Sequence, residues 1–294
     1  MRYVAVCLLL TSVVVFAQNR VLSDEARANL HGSSSQSIEP FRLVGNVYYV
    51  GAQNIASELI TTPEGHILID TGTKEMEAVV PANIEKLGFR LQDVKIILST
   101  QAHFDHVGAT AALKKRTGAQ LMVMGDDAKA LAAGKDLSPL DDEGWTPVPV
   151  DRVLKDGDTV TLGGTTLRAV WSPGHTPGST TWMTTVQDNG TSYLLALVAG
   201  LGPNNGVQLI GNPKHPALVE QTLGMYKALK ALTPDIYVPG HPQQLFAGKM
   251  DRIRAGERPH PLADRAAWTK MIGDSEAGFI KRVEAEKART TATP

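Results

Sequence analysis

The sequence has a single cysteine, Cys7, among 294 residues. It lies inside the apolar opening stretch and lacks before it the small residues that a lipoprotein signal needs, so the chain beyond that stretch can form no disulfide. Long apolar runs are also missing. The one candidate starts behind Arg2, is short, and ends at the small Ala17 before turning polar at Gln18. Residues 1–17 therefore read as a secretory signal peptide rather than a membrane span, and the processed chain is expected in the periplasm or secreted. There is no excess of one charge: the formal net charge is −1, with acids and bases interspersed, which argues against a nucleic-acid or membrane-surface partner. No Pro-, Gly- or Ser-rich linker interrupts the chain after Pro40. With 43% hydrophobic and 20% charged residues the composition is globular, and residues 41–290 read as one domain. The polar, aperiodic residues 18–40 before it read as a loose arm.

What is present is a succession of short β-like runs and helical patterns. Val47–Val50, Ser57–Thr61 and His66–Asp70 alternate with the turn Pro63-Glu64-Gly65. Met76, Val79, Val80, Ile84 and Leu87 recur at helical spacing until Gly88, and a second helix is expected to end at Gly118. The second half repeats the scheme without repeating the sequence. Strands are expected at Val153–Trp171, Thr180–Val186 and Tyr193–Val198, a helix from about Pro216 to Leu232, and a last strand Ile236-Tyr237-Val238. Two such sets fit an α/β fold of two mixed sheets packed together with helices outside.

The chemistry concentrates in Gln101-Ala102-His103-Phe104-Asp105-His106, directly after the apolar run Val94–Ser99. Imidazole and carboxylate are the usual ligands of catalytic zinc. In an extended chain Gln101, His103 and Asp105 would converge from one side while His106 points elsewhere, so one loop could serve two metals. Two further histidines sit where turn-formers force the chain to reverse after a strand: His175 in Ser172-Pro173-Gly174-His175-Thr176-Pro177-Gly178, and His241 between Gly240 and Pro242. His31, His66, His215 and His260 read as bystanders.

The Gln101–His106 stretch resembles the His-x-His-x-Asp-His signature of the metallo-β-lactamase superfamily, with Gln101 at the place of the first His. The resemblance extends through Leu68-Ile69-Asp70-Thr71-Gly72, Leu113–Ala119, the His175 motif, Gly211-Asn212-Pro213 and Pro239-Gly240-His241-Pro242. It is closest to subclass B3, and within it to the GOB-like branch that carries Gln at the first ligand position. The resemblance implies a four-layer αβ/βα sandwich. It implies Gln101, His103 and His175 as one zinc site and Asp105, His106 and His241 as a second, expected to be the tighter. Asp70 would orient a ligand histidine, or simply cap the turn that follows it. Hydrolysis of the β-lactam amide of penicillins, cephalosporins and carbapenems by metal-bound hydroxide would follow, with Asp105 orienting the hydroxide and antibiotic resistance as the outcome. Its partner would be a small-molecule β-lactam, taken up by a monomer.

Other hydrolases of the fold, lactonases and glyoxalase-II-like thioesterases, typically bridge their metals with an extra Asp. At that place this chain reads Leu197-Val198-Ala199-Gly200-Leu201-Gly202-Pro203, with no acid. A non-catalytic zinc protein is the third reading. There is no Ser-x-x-Lys motif to support a serine enzyme. The serines that receive the substrate carboxylate in typical subclass B3 enzymes, near Leu201 and Pro203, are missing; Asn204, Asn205 or backbone amides are the candidates to replace them. Trp145 either roofs the pocket or packs into the core. Some relatives in the subclass are stapled by a disulfide near the C-terminus, which this chain cannot be.

Overall fold

A computed structural model describes Gly32 and residues 35–291. The expected signal peptide, Cys7, His31 and most of the arm lie outside the described residues. Among the described residues no helix is long and apolar enough to cross a membrane.

Two sheets form the centre. Strands β1 (Phe41–Val44), β2 (Val47–Tyr49), β3 (Glu58–Thr62), β4 (Gly65–Ile69), β5 (Val94–Leu98), β6 (Gln120–Met124) and β7 (Arg152–Leu154) make a seven-stranded sheet in chain order. Strands β8 (Thr159–Leu162), β9 (Thr165–Trp171), β10 (Thr180–Asp188), β11 (Thr191–Val198) and β12 (Ile236–Pro239) make a five-stranded one, ordered β12-β11-β10-β9-β8. Both are mixed: β1 to β4 are antiparallel, β4 to β7 parallel, and β12 runs parallel to β11 while β8 to β11 are antiparallel.

Period-two alternation within uninterrupted apolar runs explains the layering, because a strand buried on both faces needs apolar residues at every position. In β4, Ile67 and Ile69 enter the core between the sheets, while Leu68 faces the opposite layer. In β5, Ile96 and Leu98 divide from Ile97 in the same way, and in β11 Leu195 and Leu197 divide from Ala196 and Val198. The outer face of the first sheet is covered by α1 (Met76–Lys86), α3 (Thr110–Thr117) and α4 (Asp127–Ala133), through Met76, Val80, Ile84, Leu113 and Leu131. The short α2 (Phe104–Val107) lies between α1 and α3 in the chain. The outer face of the second sheet is covered by α5 (Leu218–Lys230) and the long C-terminal helix α8 (Arg265–Thr291), through Met225, Tyr226, Leu229, Trp268, Ile272 and Phe279. Each fully buried Leu, Ile or Phe side chain there contributes about 1.5–3 kcal/mol. Two short helices, α6 (Gln243–Phe246) and α7 (Met250–Arg254), and a 3-10 turn, Leu91–Asp93, complete the described elements. The result is the αβ/βα sandwich that the resemblance implied.

Three expectations need correction. Residues 35–40 are not loose: Ser35 is buried and hydrogen-bonded to Thr73 (2.6 Å), and Ser37 bridges to Ala52. Arg152–Leu154 pairs with β6 and so closes the first sheet instead of opening the second. The extended chain stops at His103 (φ −117°, ψ 156°), and Phe104 to Val107 turn into α2, so Asp105 and His106 are neighbours on one helical turn rather than alternating along a strand.

Candidate metal centre

The donor residues converge at the edge where β4, β5, β11 and β12 run out. Asp70 ends β4 with φ 53°, a left-handed conformation uncommon for a residue with a side chain. Its carboxylate takes three hydrogen bonds. Oδ1 accepts the Thr100 N–H (2.7 Å), and Oδ2 accepts the Thr100 hydroxyl (2.6 Å) and His106 Nδ1 (2.8 Å). Because a carboxylate can only accept, His106 carries its proton on Nδ1 and keeps the lone pair on Nε2. That Nε2 is buried and has no hydrogen-bond partner, an arrangement that costs about 1–3 kcal/mol unless a cation or donor meets it.

Asp105 and His241 stand opposite that atom. Asp105 Oδ2 lies 3.7 Å from His106 Nε2 and 3.3 Å from His241 Nε2, and one donor atom from each of the three residues falls within 4.8 Å of the others. His241 donates from Nδ1 to the Asn54 carbonyl (2.8 Å), which again leaves Nε2 for a ligand. Gly240 permits the approach, since a Cβ there would come within 2.6 Å of the His106 ring. Burial alone would raise the pKa of Asp105, but His106, His241 and His103 outweigh it and hold the carboxyl well below the usual range. Burial opposes charge on His106, yet Asp105 and Asp70 raise its pKa overall. The pocket therefore favours a cation, and its donor set fits a zinc ion.

The second group is His103, His175 and Gln101. The two rings lie 4.6 Å apart at 69°. His103 Nε2 meets Ser138 Oγ (2.9 Å), whose hydroxyl donates to Asp136 Oδ2 (3.1 Å); His103 thus donates from Nε2 and keeps Nδ1 free as a base. His175 donates from Nδ1 to the Gly202 carbonyl (2.9 Å). Burial above all lowers the pKa of His103 to about 4 and that of His175 to about 3, so both rings are neutral near pH 7, as metal ligation requires. Gln101 is buried, and its Oε1 accepts the Gly200 N–H at 2.5 Å. That bond occupies one lone pair of an already weak donor.

Four contributors escaped the sequence reading. Asp127, at the start of α4, accepts the Ala102 N–H (2.9 Å), the Thr176 hydroxyl (2.5 Å) and the Gly178 N–H (2.7 Å), so it ties the His103 loop to the His175 loop. Burial raises its pKa to about 7 against the pull of those three bonds. Asp136 and Ser138 hold His103, and Gly200 packs flush against His175. These contacts span 25 to 99 residues of chain, and no local pattern marks them. Asp127→Asn turns an acceptor into an amide whose NH2 must face one of three donors. Urea unfolding should show a loss of about 1–3 kcal/mol for each donor left unpaired.

The other candidates fall as follows. Asn204 is half-buried and Asn205 exposed on the loop after β11. Trp145 is partly buried and packs against the cluster beneath the helices of the first sheet, as the core-packing alternative expects. Among the bystanders, His66 lies edge-on to Phe89, and His260 bonds the Leu43 carbonyl (2.9 Å). His215 rests against the backbone of Leu137 and Ser138, beside the loop that holds His103.

Residues 50–182 match the profile of the metallo-beta-lactamase superfamily. The fold is similar to that of the FEZ-1 metallo-beta-lactamase from Legionella gormanii, with 33% identity, a TM-score of 0.82, and coverage of 86% of this chain and 98% of that one. It is also similar to BJP-1, a subclass B3 enzyme of Bradyrhizobium japonicum (33%, 0.80, 89% and 99%), and to GOB-18 from Elizabethkingia meningoseptica (32%, 0.80, 86% and 95%). The chain belongs to the metallo-beta-lactamase superfamily and is a metal-dependent hydrolase by fold and by donor set. Curated relatives match over shorter stretches. A probable metallo-hydrolase of Burkholderia pseudomallei is 33% identical over 105 residues, 35% of either chain. A hydroxyacylglutathione hydrolase of Rhodospirillum rubrum is 30% identical over 99 residues, 34% of this chain and 31% of that one. The match thus spans about a third of the length of these curated relatives.

Proposed function

We propose that the chain is a zinc-dependent β-lactamase of subclass B3, in the branch with Gln at the first ligand position, exported to the periplasm and acting as a monomer on small-molecule β-lactams. Gln101, His103 and His175 would hold one zinc, and Asp105, His106 and His241 the other, with Asp70 orienting His106. The observation that carries the choice of substrate is Gly200. It follows the end of β11, where thioesterases and lactonases of the fold place an extra acid, and a Cβ there would stand 2.5 Å from the His175 ring. A side chain at that point would clash with His175, so position 200 supplies no second acid.

Zinc at these residues would supply a water acidic enough to ionise near pH 7 and a Lewis acid for a carbonyl oxygen. The protein's own part is positioning. Asp105, held ionised by three histidines, accepts a hydrogen bond from the attacking water and sets its direction toward the lactam carbonyl. The Asp70–His106 and Ser138–His103 bonds fix both tautomers, so no ring must rotate or exchange a proton during turnover. The loop Leu201–Asn205 offers backbone amides and Asn204 to the substrate carboxylate. No protein nucleophile is needed.

Purified protein should hydrolyse nitrocefin in a way that EDTA abolishes and clavulanate leaves intact. Activity that survives exhaustive dialysis against EDTA would refute the proposal. The likeness to a hydroxyacylglutathione hydrolase favours one second reading, a thioesterase. Thioester and nitrocefin turnover measured on one preparation separates the two.

A further inference from the structure

The segment between β11 and α5 borders the metal centre on one side and α8 on the other. On its inner side the Gly200 N–H donates to Gln101 and the Gly202 carbonyl accepts from His175. On its outer side two α8 residues one turn apart hold its main chain. Arg282 donates from Nη1 to the Pro203 carbonyl (2.6 Å) and from Nη2 to the Asn204 carbonyl (2.7 Å). Glu286 accepts the N–H groups of Leu209 (3.0 Å) and Ile210 (2.9 Å). Opposite charges four residues apart on a helix commonly pair with each other. Here both are spent on the loop.

Packing shares that hold only in part: Leu201 lies against the helix cluster of the second sheet. A cavity of about 210 Å³ lies between the loop and the two helices, lined by Leu201, Gly202, Tyr226, Ser275, Phe279 and Arg282 itself. Gly202 (φ 76°) has no side chain to fill it, and two glycines within three residues leave the backbone conformationally free. The two guanidinium bonds are the polar tie of Pro203 and Asn204 to the helix behind them.

We infer that Arg282 is a positioning residue for the His103–His175–Gln101 group. Its hydrogen bonds go to the loop carbonyls and to none of the donor residues. It sets the height of the loop, so that Gly200 and Gly202 keep Gln101 and His175 in the orientation that a metal requires. The inference rests on reading that group as a metal site, and its test is therefore metal binding rather than turnover.

The experiment is zinc titration against a chromophoric chelator, with the thermal midpoint of the metal-free protein recorded alongside, for wild type, Arg282→Ala and Arg282→Lys. Loss of a supporting hydrogen bond commonly costs about 10–100-fold in metal affinity. Arg282→Ala should weaken the weaker site by about 10-fold or more while the tighter site and the metal-free midpoint stay near wild type. Arg282→Lys, with one ammonium able to meet one carbonyl, should recover part of the loss. Unchanged affinity at the weaker site in Arg282→Ala overturns the inference. So does an equal loss at both sites with a matching fall in the midpoint, which marks a merely structural residue. Wild type that binds no zinc overturns the underlying reading before any variant is compared.

Discussion

Zinc titrated into the wild-type chain should bind in two steps of unequal affinity, and Asp105→Ala should remove the tighter one. Asp105, His106 and His241 already bring one donor atom each within 4.8 Å of one another. They combine two imidazoles with a carboxylate whose charge offsets part of the cation's, and both imidazoles have Nε2 aimed inward by hydrogen bonds at Nδ1. The other group has two neutral imidazoles and an amide oxygen that already accepts the Gly200 N–H. An amide oxygen is a poorer zinc donor than imidazole, so the gap between the sites traces mainly to Gln101. Without the Asp105 carboxylate the tighter affinity should fall on the order of 100-fold or more, beyond what loss of a supporting residue costs. Gln101→His should strengthen the weaker site and narrow the gap. Two zincs bound with indistinguishable affinity in wild type, unchanged by Gln101→His, would mean that Gln101 is not the weak point.

Gly200→Ala should damage the weaker site directly. The new Cβ would sit 2.5 Å from two carbons of the His175 ring and 2.7 Å from Nδ1, well inside van der Waals contact. The ring or the loop must shift. Overpacking of this kind typically costs about 1–3 kcal/mol, and the shift also breaks the Gly200 bond to Gln101. Expected results are a lower thermal midpoint, loss of the weaker zinc step, and survival of the Asp105–His106–His241 step. Normal zinc stoichiometry with a wild-type midpoint would show that the loop relaxes freely. Because the Arg282 and Gly200 changes act on one loop, their effects on zinc affinity should be non-additive in the double variant.

Much of the fold was legible because strand runs and turn-formers are local signals. The ends of β4, β5 and β12 and the helix stop at Gly88 follow from apolar alternation and from glycine in the left-handed region (φ 83° at Gly88). The long α8 was missed because its buried stripe, Trp268, Ile272, Phe279 and Val283, is thin and interrupted by polar residues. Strand β7 was put in the wrong sheet because three residues carry no information about their partner.

For the site, the sequence by itself determined the donor types and their order along the chain: an amide, then His, Asp and His in one loop, then two histidines at turns. Those follow from covalent spacing and residue chemistry alone. The resemblance already implied how the donors divide, and the tertiary structure supplied the physical reason for the Asp105, His106 and His241 group. The turn of α2 swings Asp105 and His106 together toward His241, and the end of β11 sets Gly200 against Gln101 and His175. The tautomers depended on the fold as well, since His103, His106, His175 and His241 each make a ring-nitrogen hydrogen bond to a residue 27 to 187 positions away, outside the reach of any local pattern. Asp127 and Arg282 act through such distant contacts, and Asp136 reaches His103 through Ser138, two residues along its own loop. Their roles become visible only when backbone groups far apart in the chain compete for the same carboxylate or guanidinium.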